Sequence, residues 1–209
     1  MSFSKDVRRD QVVTASLKLI GKSGLSGLTT AAIAKEVGIS EANIYRHFHN
    51  KQEILSETIK RIGEGLKSNV EIAIESSSGP LNCLRQVFQL HLRYVERNPG
   101  IPRLLFSDDI HTNDSEMKPR LLAMVAGYMD SLERIVRGGI ENGEIRESVD
   151  PKATALTFIG MIQVSIIRWI LSDFTLSIEN EGLSLWDNYV ACISVSVCHT
   201  RDETRSSCS

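Results

Sequence analysis

Features that carry catalysis or oxidative stapling are scarce in this chain. Its four cysteines, Cys83, Cys192, Cys198 and Cys208, show no CxxC spacing, so the pattern gives neither a disulfide framework nor a zinc site. No GxSxG, P-loop, HExxH or Rossmann glycine pattern occurs, which leaves a small helical enzyme without positive support. His91 and His111 with Asp108 and Asp109 fit no standard metal spacing, and neither metal nor cofactor is expected. The opening MSFSKDVRRDQ lacks an apolar core, so it predicts no secretory leader and a cytoplasmic protein with free thiols. Long hydrophobic runs are scarce too. The one membrane candidate, residues 153–171, is interrupted by Thr154, Thr157, Gln163, Ser165 and Arg168. That composition reads better as a soluble helix buried on both sides than as a span.

An excess of either charge is also missing, since 24 Lys+Arg against 26 Asp+Glu give −2. The average hides an asymmetry. Residues 1–67 carry eleven basic and seven acidic side chains, a net of +4, which leaves −6 on the rest. A basic head on an acidic body predicts that the head meets a polyanion. At 209 residues the chain is long enough for a real core.

Punctuation and periodicity give a run of helices. Val13, Leu17 and Ile20 recur at helical spacing and stop near Gly21 to Gly24. Thr29 or Thr30 then caps a short helix over 31–37 that ends at Gly38, and Ser40 caps a second over 41–48. Asn50 opens a long helix from 51 to about 75. Further helices are expected over 81–97, 102–106, 116–141, 151–174 and 183–198, with Asp150-Pro151 as a strong start signal. Only residues 193–198 alternate like a strand. The fold class is all-α.

The two short helices joined by Gly38-Ile39-Ser40 make a helix-turn-helix. Ile33, Val37, Ile39, Ile44 and Phe48 supply the contacts between them. Glu41, Ala42, Asn43, Tyr45, Arg46 and His47 remain for an outer face suited to a major groove. The stretch LTTAAIAKEVGIS, followed by IYRHFHNKQEIL, resembles the TetR family of bacterial transcriptional repressors. The likeness covers residues 8–57 and is most specific in its Tyr-x-His-Phe-x-x-Lys segment. It implies an N-terminal three-helix head over 1–50 and a helical ligand-binding and dimerisation body over 51–199. Residues 51–75 would form a linking helix and residues 200–209 a disordered tail.

The resemblance also implies roles for single residues. Thr29 or Thr30 would contact phosphate at a helix N-terminus. Tyr45, His47 and Lys51 would bind backbone phosphates, while Glu41, Ala42, Asn43 and Arg46 would read or border bases, with Ser40 in the same DNA-binding set. Glu41 suits cytosine N4 and Asn43 suits adenine. Lys5, Arg8 and Arg9 form a basic lead-in, either a loose tail or an arm on phosphate. Gly63 and Gly65 in the long helix mark either close packing or a pliable link.

In the body, Phe88, His91, Tyr94, Phe106, Met124, Tyr128, Met161, Gln163, Arg168 and Trp169 are aromatic, flexible or polar-tipped residues in apolar helices. Each alone reads as core; together they would line a pocket for a mainly apolar effector, with Arg168 as the selector for a carboxylate. The helix through Ile162 and Ile166 is apolar all round, and Trp186, Tyr189, Val190, Ile193 and Val197 form a second stripe. Both are expected to pair with a second copy, as the family generally does. The expected partners are therefore double-stranded DNA with a roughly palindromic operator, a small effector and a second subunit, with no membrane. The alternative is DNA binding without small-molecule control.

Overall fold

A computed structural model describes residues 5–108, 110 and 117–195, with Lys5 placed by its backbone alone. Nine helices are present among them: α1 (Lys5–Ser23), α2 (Thr30–Val37), α3 (Glu41–Tyr45), α4 (Lys51–Ser76), α5 (Pro80–Arg97), α6 (Gly100–Leu105), α7 (Met117–Glu141), α8 (Pro151–Leu171) and α9 (Ile178–Ile193). A 3₁₀ turn, Leu25–Gly27, joins α1 to α2.

Local chemistry sets the helix ends. Thr29 accepts from the Ala32 amide, Ser40 from Asn43, Asn50 from Glu53 and Asp150 from Ala153. Each thereby satisfies one of the amide donors that a helix start leaves free. Gly38 takes φ 75° and lets α2 close on the Ala34 carbonyl, a left-handed cap that favours glycine. The second helix of the pair is shorter than its sequence suggests: it ends at Tyr45, and Arg46 to Phe48 turn on the Asn43 and Ile44 carbonyls. The helix expected over 151–174 stops at Leu171, because Asp173 and Phe174 adopt positive φ. The last described helix begins earlier than expected, where Ser177 caps Asn180, and ends at Ile193. The strand-like alternation that begins there yields one antiparallel bridge, Ile145 to Ser194.

Val13, Ile20, Leu28, Ile33, Ile44 and Phe48 are buried together under the three N-terminal helices. The body closes around Leu84, Phe88, Leu92, Leu132, Phe158 and Ile162. Phe88, Phe158 and Trp186 meet ring to ring across α5, α8 and α9, with centroids 5.6–6.5 Å apart. Among the described residues α8 is the one helix long and apolar enough to cross a membrane. Its Phe158, Ile162, Ile166 and Trp169 are buried in the body, and Leu156, Val164, Ile167 and Leu171 are exposed on its other side.

Gly63 and Gly65 serve close packing. A Cβ on Gly63 would lie 2.9 Å from Met124 Cγ, one on Gly65 would collide with the Tyr94 ring, and α4 runs unbroken past both.

Candidate nucleic-acid interface

Glu41, Ala42, Tyr45 and Arg46 are exposed on α3 and its following turn, with Asn43 and His47 half-buried beside them. Thr29 is exposed at the start of α2 and Thr30 half-buried next to it. The Thr30 hydroxyl donates to Glu41 Oε2 at 2.7 Å, and the Tyr45 hydroxyl lies 3.5 Å from Thr30 Oγ1. Two residues expected to touch phosphate and one expected to read a base are thus linked before any DNA arrives. Ser40 and Thr29 use their side-chain oxygens as caps. Lys51 Nζ lies 3.4 Å from the Leu25 carbonyl, which sets its charge on the loop leading into α2.

Arg9 is directed inward. Its guanidinium stacks 4.2 Å from the Phe48 ring centre, donates to the His47 carbonyl, and pairs with Glu53 at 3.1 Å and Glu57 at 3.4 Å. It therefore ties α1 to the end of the helix-turn-helix and to α4, which corrects the reading of Arg9 as an arm on phosphate. Sequence periodicity had no signal for this, since the partners lie 38 to 48 residues away. The amide of His49 donates to Glu53, and that bond holds the Glu53 carboxyl below its ordinary range. Lys18 and Lys22 flank Glu36, and the Lys18 hydrogen bond lowers the Glu36 carboxyl likewise. Arg61 pairs with Asp10. These partners are all among the head's seven acids, so the pairs leave its net of +4 in place. Arg46 and Lys51, in contrast, make no ion pair among the described residues.

Comparison with known proteins decides the family. Residues 12–58 match the model of bacterial regulatory proteins of the tetR family, and residues 80–179 match the tetracyclin repressor-like C-terminal domain. The nucleoid occlusion factor SlmA of Vibrio cholerae is 32% identical over 172 residues, covering 80% of this chain and 86% of that one. SlmA of Vibrio atlanticus is 30% identical over 198 residues, covering 92% and 97%.

The chain belongs to the TetR family.

It is accordingly a DNA-binding regulator with an N-terminal helix-turn-helix. Solved regulators share the fold. The regulator PfmR from Thermus thermophilus is 27% identical with a TM-score of 0.71 over 86% of this chain and 97% of its own. FadR from Bacillus subtilis, in complex with stearoyl-CoA, is 21% identical with a TM-score of 0.76 over 87% and 97%.

In the body, five of the residues expected to form a TetR-type ligand pocket come together. His91, Phe106, Met124, Tyr128 and Gln163 line one small cavity of about 60 Å³, whose wall at Phe106 and Val125 reaches the surface. His91 Nδ1 and the Tyr128 hydroxyl are 2.9 Å apart. Burial keeps the imidazole neutral, its pKa lowered to about 4, and raises the phenol. The other five lie elsewhere. Tyr94 packs against Gly65 of α4. Phe88 belongs to the aromatic core, Trp169 packs on Phe174 at 4.7 Å, and the half-buried Met161 does not line the cavity. Arg168 points outward with 59% of its side chain exposed and pairs with Glu181 at 2.8 Å. It cannot select a ligand inside the body, because the inward face of α8 falls on Ile162, Ile166 and Trp169.

The expected subunit contacts also need correcting. Ile162, Ile166, Trp186, Tyr189 and Ile193 are at most 5% exposed within the single chain, so their side chains are spent on the protomer's own core. Val190 is half-buried, and Val197 lies outside the described residues, as do His111, Asp109 and the tail. The helix is apolar all round, so composition could not tell its inner face from its outer one. The exposed apolar stripe is Leu156, Val164, Ile167 and Leu171, about one helical face away.

Proposed function

We propose that the protein is a homodimeric, cytoplasmic repressor that binds a roughly palindromic operator and is released by a small, mainly apolar ligand. The observation that carries the DNA half is the α2–α3 surface. Thr29, Tyr45 and Lys51 offer phosphate contacts around Ala42, Asn43 and Arg46, which would read or border the bases; phosphates fix register and bases give sequence. Ser40 would stay a cap. Residues 1–50 act as the reading head and 51–199 as the regulatory body.

Support for the dimer comes from the stripe Leu156, Val164, Ile167 and Leu171, which leaves large apolar side chains in water unless a second copy covers them. A two-fold dimer also presents two recognition helices to half-sites about 34–36 Å apart. Support for ligand control comes from the body's cavities beside α4. A ligand must favour the arrangement that does not fit DNA, or it shifts nothing.

A second reading draws on the curated relatives, which are named nucleoid occlusion factors. Under it the protein binds DNA without small-molecule control, and the small cavity is simply a packing gap in the body. Mobility-shift titrations of operator DNA, run with and without ligands that raise Tm, separate the two. Ligand-dependent release supports the first; operator binding that no stabilising ligand alters supports the second.

A further inference from the structure

Two spaces in the body meet at three side chains. An open cleft of about 650 Å³ lies between α4 and α7, and the smaller, less open cavity lies deeper, reaching α5, α6 and α8. Leu66, Met124 and Tyr128 line both, so only side chains separate them. Met124 is unbranched and flexible, and can move without disturbing the backbone. Gly63 gives it room to lie against α4.

The two spaces differ in charge. Lys60, Lys67, Arg120 and Arg134 rim the cleft, against one carboxylate, Glu57. Lys60 is matched by Glu57 at 3.3 Å and Lys67 by Glu71 at 3.5 Å. Arg134 bonds to the Asp130 carbonyl and the Ser131 hydroxyl, and neither it nor Arg120 makes an ion pair among the described residues. The deeper cavity holds no charge. Its polar groups are the neutral His91–Tyr128 pair and Gln163, whose Oε1 is buried without a hydrogen-bond partner. A carboxylate placed there would be desolvated with no cation to meet it, which costs too much. An apolar chain would be accepted, and a cationic rim holds its head outside. The geometry fits an amphiphile with one orientation.

We infer that the α4–α7 cleft binds an acyl-chain anion, with its head group on Arg120 or Arg134 and its chain displacing Met124 to enter the cavity beside Gln163. This rests on the ligand-responsive reading and names the ligand class and the site. Two guanidinium groups match an anionic head in either of two sources: a free fatty acid, or an acyl thioester on a phosphate-bearing carrier. Occupancy would wedge α4 away from α7, and α4 starts directly behind the helix-turn-helix.

The test uses the full-length protein with three probes of one chain length: myristate, myristoyl-CoA and uncharged tetradecanol, with calorimetric binding and operator release read in parallel. Saturable binding of one or both anions, at least about tenfold tighter than the alcohol, is expected; which anion binds identifies the source. Replacing both arginines, Arg120→Gln with Arg134→Gln, should bring the anion down to the alcohol's affinity. Gly127→Leu offers a variant that keeps its fold. The position lines the cleft with nothing within 4 Å of an added Cβ, and leucine favours helix. It should fill the cleft and abolish binding of every probe. Equal affinity for acid and alcohol, undiminished binding by Gly127→Leu, or no saturable binding at all would overturn the assignment. Charge-dependent binding that leaves operator affinity unchanged keeps the site and removes ligand-controlled release.

Discussion

Head and body hold their helices in different ways. In the head, Thr29, Ser40 and Asn50 cap helix starts, and ion pairs from Arg9, Lys18 and Arg61 join α1 to α2 and α4. In the body, aromatic rings of Phe88, Phe158 and Trp186 carry the joints, and buried polar groups pair with each other, as His91 does with Tyr128 and Tyr189 with the Thr154 carbonyl. Directional polar contacts fix side-chain positions, which a surface that must keep register with DNA requires. Apolar packing tolerates repacking at modest cost, which suits a region whose helices must separate around a ligand.

The largest effect should come from charges placed on the two sides of the α8–α9 layer. Ile193→Asp buries a carboxylate with no partner inside the protomer and should destabilise the fold by several kcal/mol in urea unfolding. Ile167→Asp, on the exposed stripe, should leave the protomer folded but shift sedimentation from dimer to monomer and abolish operator binding. A folded dimer in both variants would refute the inner and outer faces given to this layer.

That contrast also marks how far the sequence could be read. Capping residues and Gly38 act locally, so Thr29, Ser40, Asn50 and Asp150 were legible as helix starts, and the helix-turn-helix with them. The phase of α8 is not legible, since apolar residues on every side carry no directional information, and sequence alone does not separate the buried Ile162 and Ile166 from the exposed Val164 and Ile167. Arg168 looked like a pocket group because it was the single charge in an apolar helix; its partner Glu181 lies on another element. Arg9 illustrates the same limit in the head, where its stacking on Phe48 depends on tertiary closure alone.

The body should also respond to acid before the head does. His91 stays neutral when folded down to pH about 4 but takes up a proton near 6.5 when unfolded. The unfolded state therefore binds more protons across that window, and stability falls as pH drops through it, by roughly 3 kcal/mol in total. Glu36 and Glu53, whose carboxyls are held low, contribute stability that is lost only as pH falls through the usual carboxylate range and below it. Urea unfolding at pH 7, 6 and 5 should show the decline, and His91→Gln should flatten it; an unchanged slope in that variant would assign the loss elsewhere.

Within the head, base and phosphate contacts should separate. Asn43→Ala is expected to cost about 1–3 kcal/mol on the operator and to relax one base pair per half-site. Uniform loss on all DNA would place Asn43 among the phosphate contacts. Lys51→Ala should have the smaller and opposite signature, weakening all DNA alike and lowering the salt slope by about one unit. A loss confined to the operator would show that Lys51 does not meet phosphate.

The most direct test of a two-headed DNA reader is selection of bound sites from random duplex DNA by the full-length protein. The account requires enrichment of two inverted half-sites, centred about one helical turn apart or a multiple of it, and loss of that pattern in Ile167→Asp. Enrichment of a single asymmetric site, or of no sequence at all, would contradict it.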